Sequence, residues 1–166
     1  MVKENGVLKK DFVTWLNVKN CVGFFAKNIK SKFSTLKNPV IVPIVRGGLC
    51  LGVCLSHKLK ASYNIDIPLL PVAFQSRDFQ TNDSDKLKSI VEEYNEVFIV
   101  EDLVDSGETL LSLDKAIASN VEKTGKFIEF YALFGNQKAI CFNTNYWKDK
   151  KADTWYVFPW EMEELC

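Results

Sequence analysis

The chain has 166 residues, 47% hydrophobic and 25% charged, with 21 basic against 21 acidic side chains. That length supports one domain around a sizeable core, and the zero net charge argues against nucleic acid as the main partner, since no general phosphate-tracking surface is available. No apolar run approaches the ~18 residues of a membrane span, the N-terminus lacks the apolar centre of a secretory signal, and five scattered cysteines without a CxxC pair fit a reducing compartment, so a cytoplasmic protein is expected.

From Asp11, the expected N-cap, apolar residues recur at Phe12, Trp15, Leu16, Val22, Phe25, Ala26, Ile29 and Phe33, close to the 3.6-residue helical period. PVIVPIV, Pro39 to Val45, is a short unbroken apolar run suited to a strand covered on both faces. Arg46-Gly47-Gly48 interrupts it, and Leu49 to Leu59 returns to helical character. Cys50, Cys54 and His57 fall on one helical face, but zinc needs ligands converging from separate elements and His57 is the chain's single histidine; a buried apolar face is the expected reading.

Pro68 to Phe74 reads as a second strand, and the polar stretch from Gln75 to Asp85, QSRDFQTNDSD, as a mobile excursion because it is rich in turn formers and has no period. A short helix is expected over Asp85 to Tyr94. Val97 to Val100 forms the third strand; Leu110, Leu113, Ile117 and Val121 mark the inward face of the following helix, and Phe127 to Phe134 is a fourth strand. This alternation predicts an α/β fold, a mostly parallel, doubly wound sheet with flanking helices.

Ligands of such sheets bind beyond the carboxyl ends of the strands, and the polar groups collect there: Arg46-Gly47-Gly48, then Gln75 to Asp78, then Glu101-Asp102 with Asp105 to Thr109, then Gly135 to Lys138. Asp105 and Glu108 have capping-box spacing. The adjacent Glu101 and Asp102 are left unexplained, because neighbouring carboxylates at a buried strand end are costly unless a cation or hydroxyl donors satisfy them. Ser106-Gly107-Glu108-Thr109 at a helix start offers hydroxyls and free backbone N–H groups to a phosphate, without the lysine of a triphosphatase loop. Acids beside a phosphate cradle point to a phosphorylated sugar.

VFIVEDLVDSGETL, Val97 to Leu110, resembles the phosphoribosyl-pyrophosphate signature of the type I phosphoribosyltransferases: a strand, two acids, two apolar residues, a third acid and a Thr/Ser-Gly-x-Thr loop. The resemblance spans Pro39 to the C-terminus. It implies a single domain over 1–166, with a small hood from about 135–166, and an enzyme that transfers phosphoribose from 5-phosphoribosyl 1-pyrophosphate with Mg²⁺. Arg46, Gly47 and Gly48 would contact pyrophosphate, and Arg77, from the flexible loop, would close over it. Asp105, Ser106, Gly107, Glu108 and Thr109 would surround the 5-phosphate, and Glu101 and Asp102 the ribose hydroxyls and the metal.

Asp105 follows the pattern of the 6-oxopurine enzymes, and DTWYVFPWEM, Asp153 to Met162, is similar to the end of bacterial xanthine-guanine phosphoribosyltransferases. That likeness implies stacking of Trp155 on a purine, with Tyr156 beside it, in a purine-salvage reaction that releases pyrophosphate. Asn136 stands where those enzymes carry the lysine that reads the 6-oxo group; either Asn136 or Lys138 would take that task. Taken alone, Trp155 reads as a packing aromatic and Arg-Gly-Gly as an ordinary loop. A non-catalytic or regulatory phosphoribosyl-pyrophosphate-binding protein is the alternative. A homodimer or homotetramer is expected, Trp147 and Trp160 being read as exposed.

Overall fold

The computed structural model describes residues 9–74, 83–136 and 143–161, with backbone alone over 119–124. Five parallel strands form one sheet in the order β3-β2-β4-β5-β6: β2 Pro39–Val45, β3 Val72–Ala73, β4 Glu96–Val104, β5 Phe127–Gly135 and β6 Thr144–Asp149. Four helices, α1 Trp15–Lys32, α2 Gly47–Tyr63, α3 Ser84–Glu93 and α4 Glu108–Thr124, cover it. Strands β1 Lys9–Phe12 and β7 Thr154–Val157 pair in parallel as a separate two-stranded sheet.

Successive strand residues face opposite sides, and the three central strands are mainly apolar on both, apart from the acids of β4 and the buried Glu129 of β5, whose carboxylate accepts from Lys32 Nζ and from Tyr131 Oη–H. Ile41, Phe98, Val100, Tyr131 and Leu133 pack with α1 and α2. Val40, Val42, Ile44, Val97, Ile99, Ile128, Phe130 and Ala132 pack with α3 and α4. The connection leaving β2 therefore runs to one face and the connection leaving β4 to the other. Since β2 and β4 are neighbours, the crevice of a doubly wound sheet opens between their carboxyl ends.

The expected strands lengthen or shorten for local reasons. β4 continues through Glu101, Asp102 and Leu103 to Val104, paired with β5 as far as Gly135, so the two acids lie inside the strand rather than after it. The stretch Pro68 to Phe74 yields only Val72–Ala73 as strand; Pro68 and Pro71 have no N–H for a ladder, and Leu69 makes a lone bridge to Ile41. Helix α2 starts at Gly47 rather than Leu49 and is closed after Tyr63 by Asn64, which adopts the left-handed conformation at φ 54°. Its buried face is Leu51, Leu55 and Leu59, whereas His57 is exposed and Cys50 and Cys54 half-buried, so those three are not the buried face expected of them.

At the N-terminus Asp11 does not cap α1. The cap is Thr14, whose Oγ1 accepts from Asn17 N–H at 3.2 Å while Asn17 Oδ1 accepts from Thr14 N–H at 2.9 Å, a reciprocal box. Residues Lys9 to Phe12 are instead extended alongside Thr154 to Val157. The C-terminal segment expected as a hood divides: β6 joins the main sheet as its edge strand, and only β7 leaves it. Trp147 and Trp160 are half-buried and pack on the core, which removes the surface argument for self-association. No helix among the described residues is long and apolar enough to cross a membrane.

Candidate active site

The crevice between β2 and β4 brings the two glycines of the Arg-Gly-Gly turn against the acidic strand end. A Cβ on Gly47 would collide with the Asp102 carboxylate, and one on Gly48 with the Val100 carbonyl oxygen. Only glycine allows helix α2 to start this close to β4. Arg46 occupies the N-cap position with no side chain capping the helix; Leu49 N–H donates to Arg46 O at 3.2 Å, and the amides of Gly47 and Gly48 lie at a helix start suited to an anion; the Val45–Arg46 peptide is cis. Arg46 itself is exposed beside them.

Glu101 and Asp102 are half-buried, and Asp102 N–H donates to Glu101 Oε1 at 3.3 Å. Burial, followed by the charge of the adjacent Asp102, pushes the Glu101 carboxyl well above the usual range. Burial raises Asp102 as well, with a contribution from Glu161. Glu161 was not anticipated from sequence; it accepts a 2.8 Å hydrogen bond from Phe158 N–H, which fastens the segment after β7 and leaves a third acid in the electrostatic field of the pair. Site carboxylates held away from their comfortable charged state are what a cation or a row of hydroxyl donors would relieve.

Beyond β4, Asp105 to Thr109 arch over a cavity of about 110 Å³ that Glu101 also lines, floored by Ile44, Ile99 and Phe130. Gly107 sits at φ 81°, a left-handed conformation that favours glycine. Helix α4 begins at Glu108, so Asp105 lies ahead of the cap position and the expected Asp105–Glu108 capping box is not formed. Ser106 Oγ, at 3.3 Å, accepts from Glu108 N–H instead. The acid freed from that structural role is exposed to the crevice and pairs with Lys150, Nζ to Oδ1 3.0 Å.

Asn136, at the end of β5, binds the same loop: its N–H donates to Val104 O at 3.0 Å and its Nδ2 to Asp105 O at 3.1 Å. It thereby holds Asp105 in position. Lys150 follows β6, and its N–H donates to Gly135 O at 2.8 Å. Sequence reading missed it because β6 was not recognised as a strand ending at the same edge. Arg77 and Lys138 lie outside the described residues, as does most of the Gln75 to Asp85 excursion.

Of the two aromatic residues assigned to the base, Trp155 is 55% exposed and Tyr156 only 4%. The Tyr156 ring stacks on Phe134 at 4.1 Å, and its hydroxyl accepts from Lys151 N–H at 3.0 Å. Tyr156 thus fastens β7 to β5, whereas the Trp155 ring is exposed.

A parallel sheet wound on both faces, with acids and two helix starts meeting at its switch point, defines a protein of the type I phosphoribosyltransferase fold. The model of the phosphoribosyl transferase domain family matches residues 10–165, and the chain belongs to that family. It is 26% identical over 124 residues to the xanthine-guanine phosphoribosyltransferase of Idiomarina loihiensis, covering 74% of this chain and 70% of that protein. In structure it is similar to the Helicobacter pylori xanthine-guanine-hypoxanthine phosphoribosyltransferase, at TM-score 0.64 and 16% identity over 92% of each chain. A hypothetical protein from Neisseria gonorrhoeae with bound ppGpp matches at TM-score 0.60 and 15% identity, over 96% of this chain and 93% of that one.

Proposed function

We propose that this protein transfers the phosphoribosyl group of 5-phosphoribosyl 1-pyrophosphate to N9 of a 6-oxopurine, guanine, xanthine or hypoxanthine, and releases pyrophosphate, in purine salvage. The observation that carries the reading is the contact of the Gly47 turn with Asp102, because it sets an uncapped helix start and a pair of acids on one crevice with the 105–109 loop. In this reading the C1′–O bond to pyrophosphate breaks with its electron pair on the leaving group, the N9–C1′ bond forms, and the purine proton passes to Asp105. The amides of Gly47 and Gly48 with Arg46 bind pyrophosphate, the 105–109 loop binds the 5-phosphate, and the exposed ring of Trp155 stacks on the base.

The donor set fits Mg²⁺. Oxygen ligands from one or two carboxylates plus phosphates suit that ion, and Glu101 and Asp102 are carboxylates that burial alone would drive toward protonation. Bound there with the substrate, the ion would offset the charge of the departing pyrophosphate. The protein's own contribution is position and electrostatics: Glu101 and Asp102 hold the ribose hydroxyls, Arg77 closes over the pyrophosphate, and the fixed dipoles of two helix starts face the phosphates. The whole chain would act as one domain, with β1, β7 and the residues after β7 as its hood.

Asp105→Asn tests the assignment. Turnover, read as pyrophosphate release, should fall by ~10²-fold or more, within the usual range for a lost general base, with the thermal midpoint within a few degrees of wild type because Asp105 is exposed and an Asn Oδ1 at the same place still faces the Lys150 ammonium. Full activity in that variant sinks the role of Asp105. A second reading, a regulatory protein that binds phosphoribosyl pyrophosphate without base chemistry, is favoured by one observation: the structurally similar Neisseria protein holds ppGpp. Saturable binding of Mg²⁺-phosphoribosyl pyrophosphate with no pyrophosphate release in the presence of any purine would establish it.

A further inference from the structure

The layer of α1 and α2 on one face of the sheet carries charge of a single sign. Its two helices hold Lys19, Lys27, Lys30, Lys32, Lys58 and Lys60 and no aspartate or glutamate, in a chain whose basic and acidic residues balance at 21 each. Helices α3 and α4, on the other face, mix both signs. Lys32 is turned to Glu129 and Lys60 to Asp66, whereas Lys19 and Lys58 have no ion-pair partner among the described residues. Between the helices lies a groove of about 450 Å³, with Trp15, Val18 and Val22 on the α1 side and Val53, Cys54 and Ala61 on the α2 side. Val18 and Val22 are its buried floor, while Trp15 and Val53 stand 56% and 40% exposed. Lys19 and Lys58, one from each helix, line it as well.

We infer that this groove docks an acidic amphipathic helix of a partner protein, its apolar face on Val18, Val22 and Val53 and its carboxylates against Lys19 and Lys58. The surface is separate from the crevice, with which it shares no lining residue. Its length suits a helix: Trp15 to Val22 and Val53 to Ala61 each span about 10–12 Å at 1.5 Å per residue, two turns of a third helix presenting side chains at i, i+3, i+4 and i+7. Its charge selects the partner. A second copy joined about a two-fold axis would bring the same patch against itself, setting lysines against lysines with no acid on either helix to relieve them, and like charges across an interface are costly. An anionic lipid surface would meet the lysines but not the floor, because Val18 and Val22 are recessed between the helices, within reach of inserted side chains. An acidic helix satisfies both, burying apolar surface in the groove while its flanks complement the lysines.

The probe is a labelled peptide of about 16 residues, long enough to form a helix alone, with leucines at i, i+3, i+4 and i+7 and glutamates on both flanks. A twin carries lysine at every glutamate. Fluorescence anisotropy reads their binding to the full chain as wild type, Val53→Asp and the double variant Lys19→Glu/Lys58→Glu. Wild type should bind the acidic peptide saturably and at least ~10-fold more tightly than the twin, with affinity falling as salt screens the exposed charges. Val53→Asp, which sets an acid on the apolar wall, should weaken the acidic peptide by at least ~10-fold, and the double variant should reverse the preference toward the lysine twin. The thermal midpoint checks folding and should hold within a few degrees, since Lys19, Val53 and Lys58 are exposed. Equal binding of the two peptides, or binding of neither, overturns the inference. So does a wild-type dimer that Val53→Asp disperses in sedimentation, which would give the groove to a second copy. Flotation of wild type, but not of the double variant, with phosphatidylserine vesicles and without peptide binding would give it to a lipid surface and overturn the inference too. The transferase reading stands or falls separately, on pyrophosphate release.

Discussion

The close approach of helix α2 to strand β4 can be tested by adding one carbon. Gly47 has no left-handed torsion, so alanine is conformationally acceptable there, and the cost of Gly47→Ala comes from its Cβ meeting the Asp102 carboxylate. Inserting an extra carbon into a tight site costs about 1–3 kcal/mol, and the better helix propensity of alanine offsets part of it, at most ~1 kcal/mol. At ~2–4 °C per kcal/mol for a chain of this size, the thermal midpoint should fall by a few degrees. Affinity for Mg²⁺-phosphoribosyl pyrophosphate should fall with it, because the amides and the acid move together. The decisive arm is the double variant. Removing the obstructing carboxylate with Asp102→Ala should reduce the cost of Gly47→Ala to zero or reverse it, a coupling of ~1–3 kcal/mol in a cycle followed by chemical denaturation. An undiminished cost in the Asp102→Ala background would refute the claim that these two residues share one site.

Other consequences are as direct. Glu101→Gln should weaken binding of phosphoribosyl pyrophosphate and yet raise the thermal midpoint at pH 8. The folded-state carboxyl is pushed above its usual range by burial and by Asp102, so its favourable contribution is present below the unfolded pKa and lost as pH rises through the folded one; the advantage of the variant should therefore shrink toward pH 4, and a pH-independent difference would contradict this. Gly107→Ala forces a Cβ into a left-handed conformation at φ 81° and should cost roughly 1–2 kcal/mol, seen as a lower denaturation midpoint together with weaker phosphate binding. Tyr156→Ala should destabilise by roughly 3–5 kcal/mol, as for other large buried aromatics, by releasing β7 from Phe134, whereas Trp155→Ala should leave stability within about 1 kcal/mol and raise the KM for the base.

The central strands were legible because each is buried on both faces and is therefore mainly apolar, as PVIVPIV and VFIV are and as FIEFYALF is with Glu129 as its one charged residue. The site was legible where polar residues follow such runs, since Glu101 and Asp102 contradict the burial around them. What escaped lies at the edges. β6, TNYWKD, is partly exposed along its length, so it carries no apolar run and the arrival of Lys150 at the crevice could not be read from it. β1 and β7 are four residues each and pair across most of the chain, a partnership without local signature; Phe12 and Leu16 fit the helical period in the sequence, and the structure leaves them 59% and 62% exposed. The Asp105–Glu108 spacing had two readings, a cap or a ligand group, and the choice depended on where α4 begins.

The central claim is the transfer of phosphoribose to a 6-oxopurine. Its most direct measurement is the chromatographic product profile after incubation with Mg²⁺, phosphoribosyl pyrophosphate and, separately, guanine, xanthine, hypoxanthine, adenine, orotate and uracil. The account predicts nucleoside 5′-monophosphate from at least one of the first three, equimolar with pyrophosphate, and little or none from the others. Nucleotide formed from adenine, orotate or uracil alone, or no nucleotide from any base by a protein that binds phosphoribosyl pyrophosphate, would contradict it.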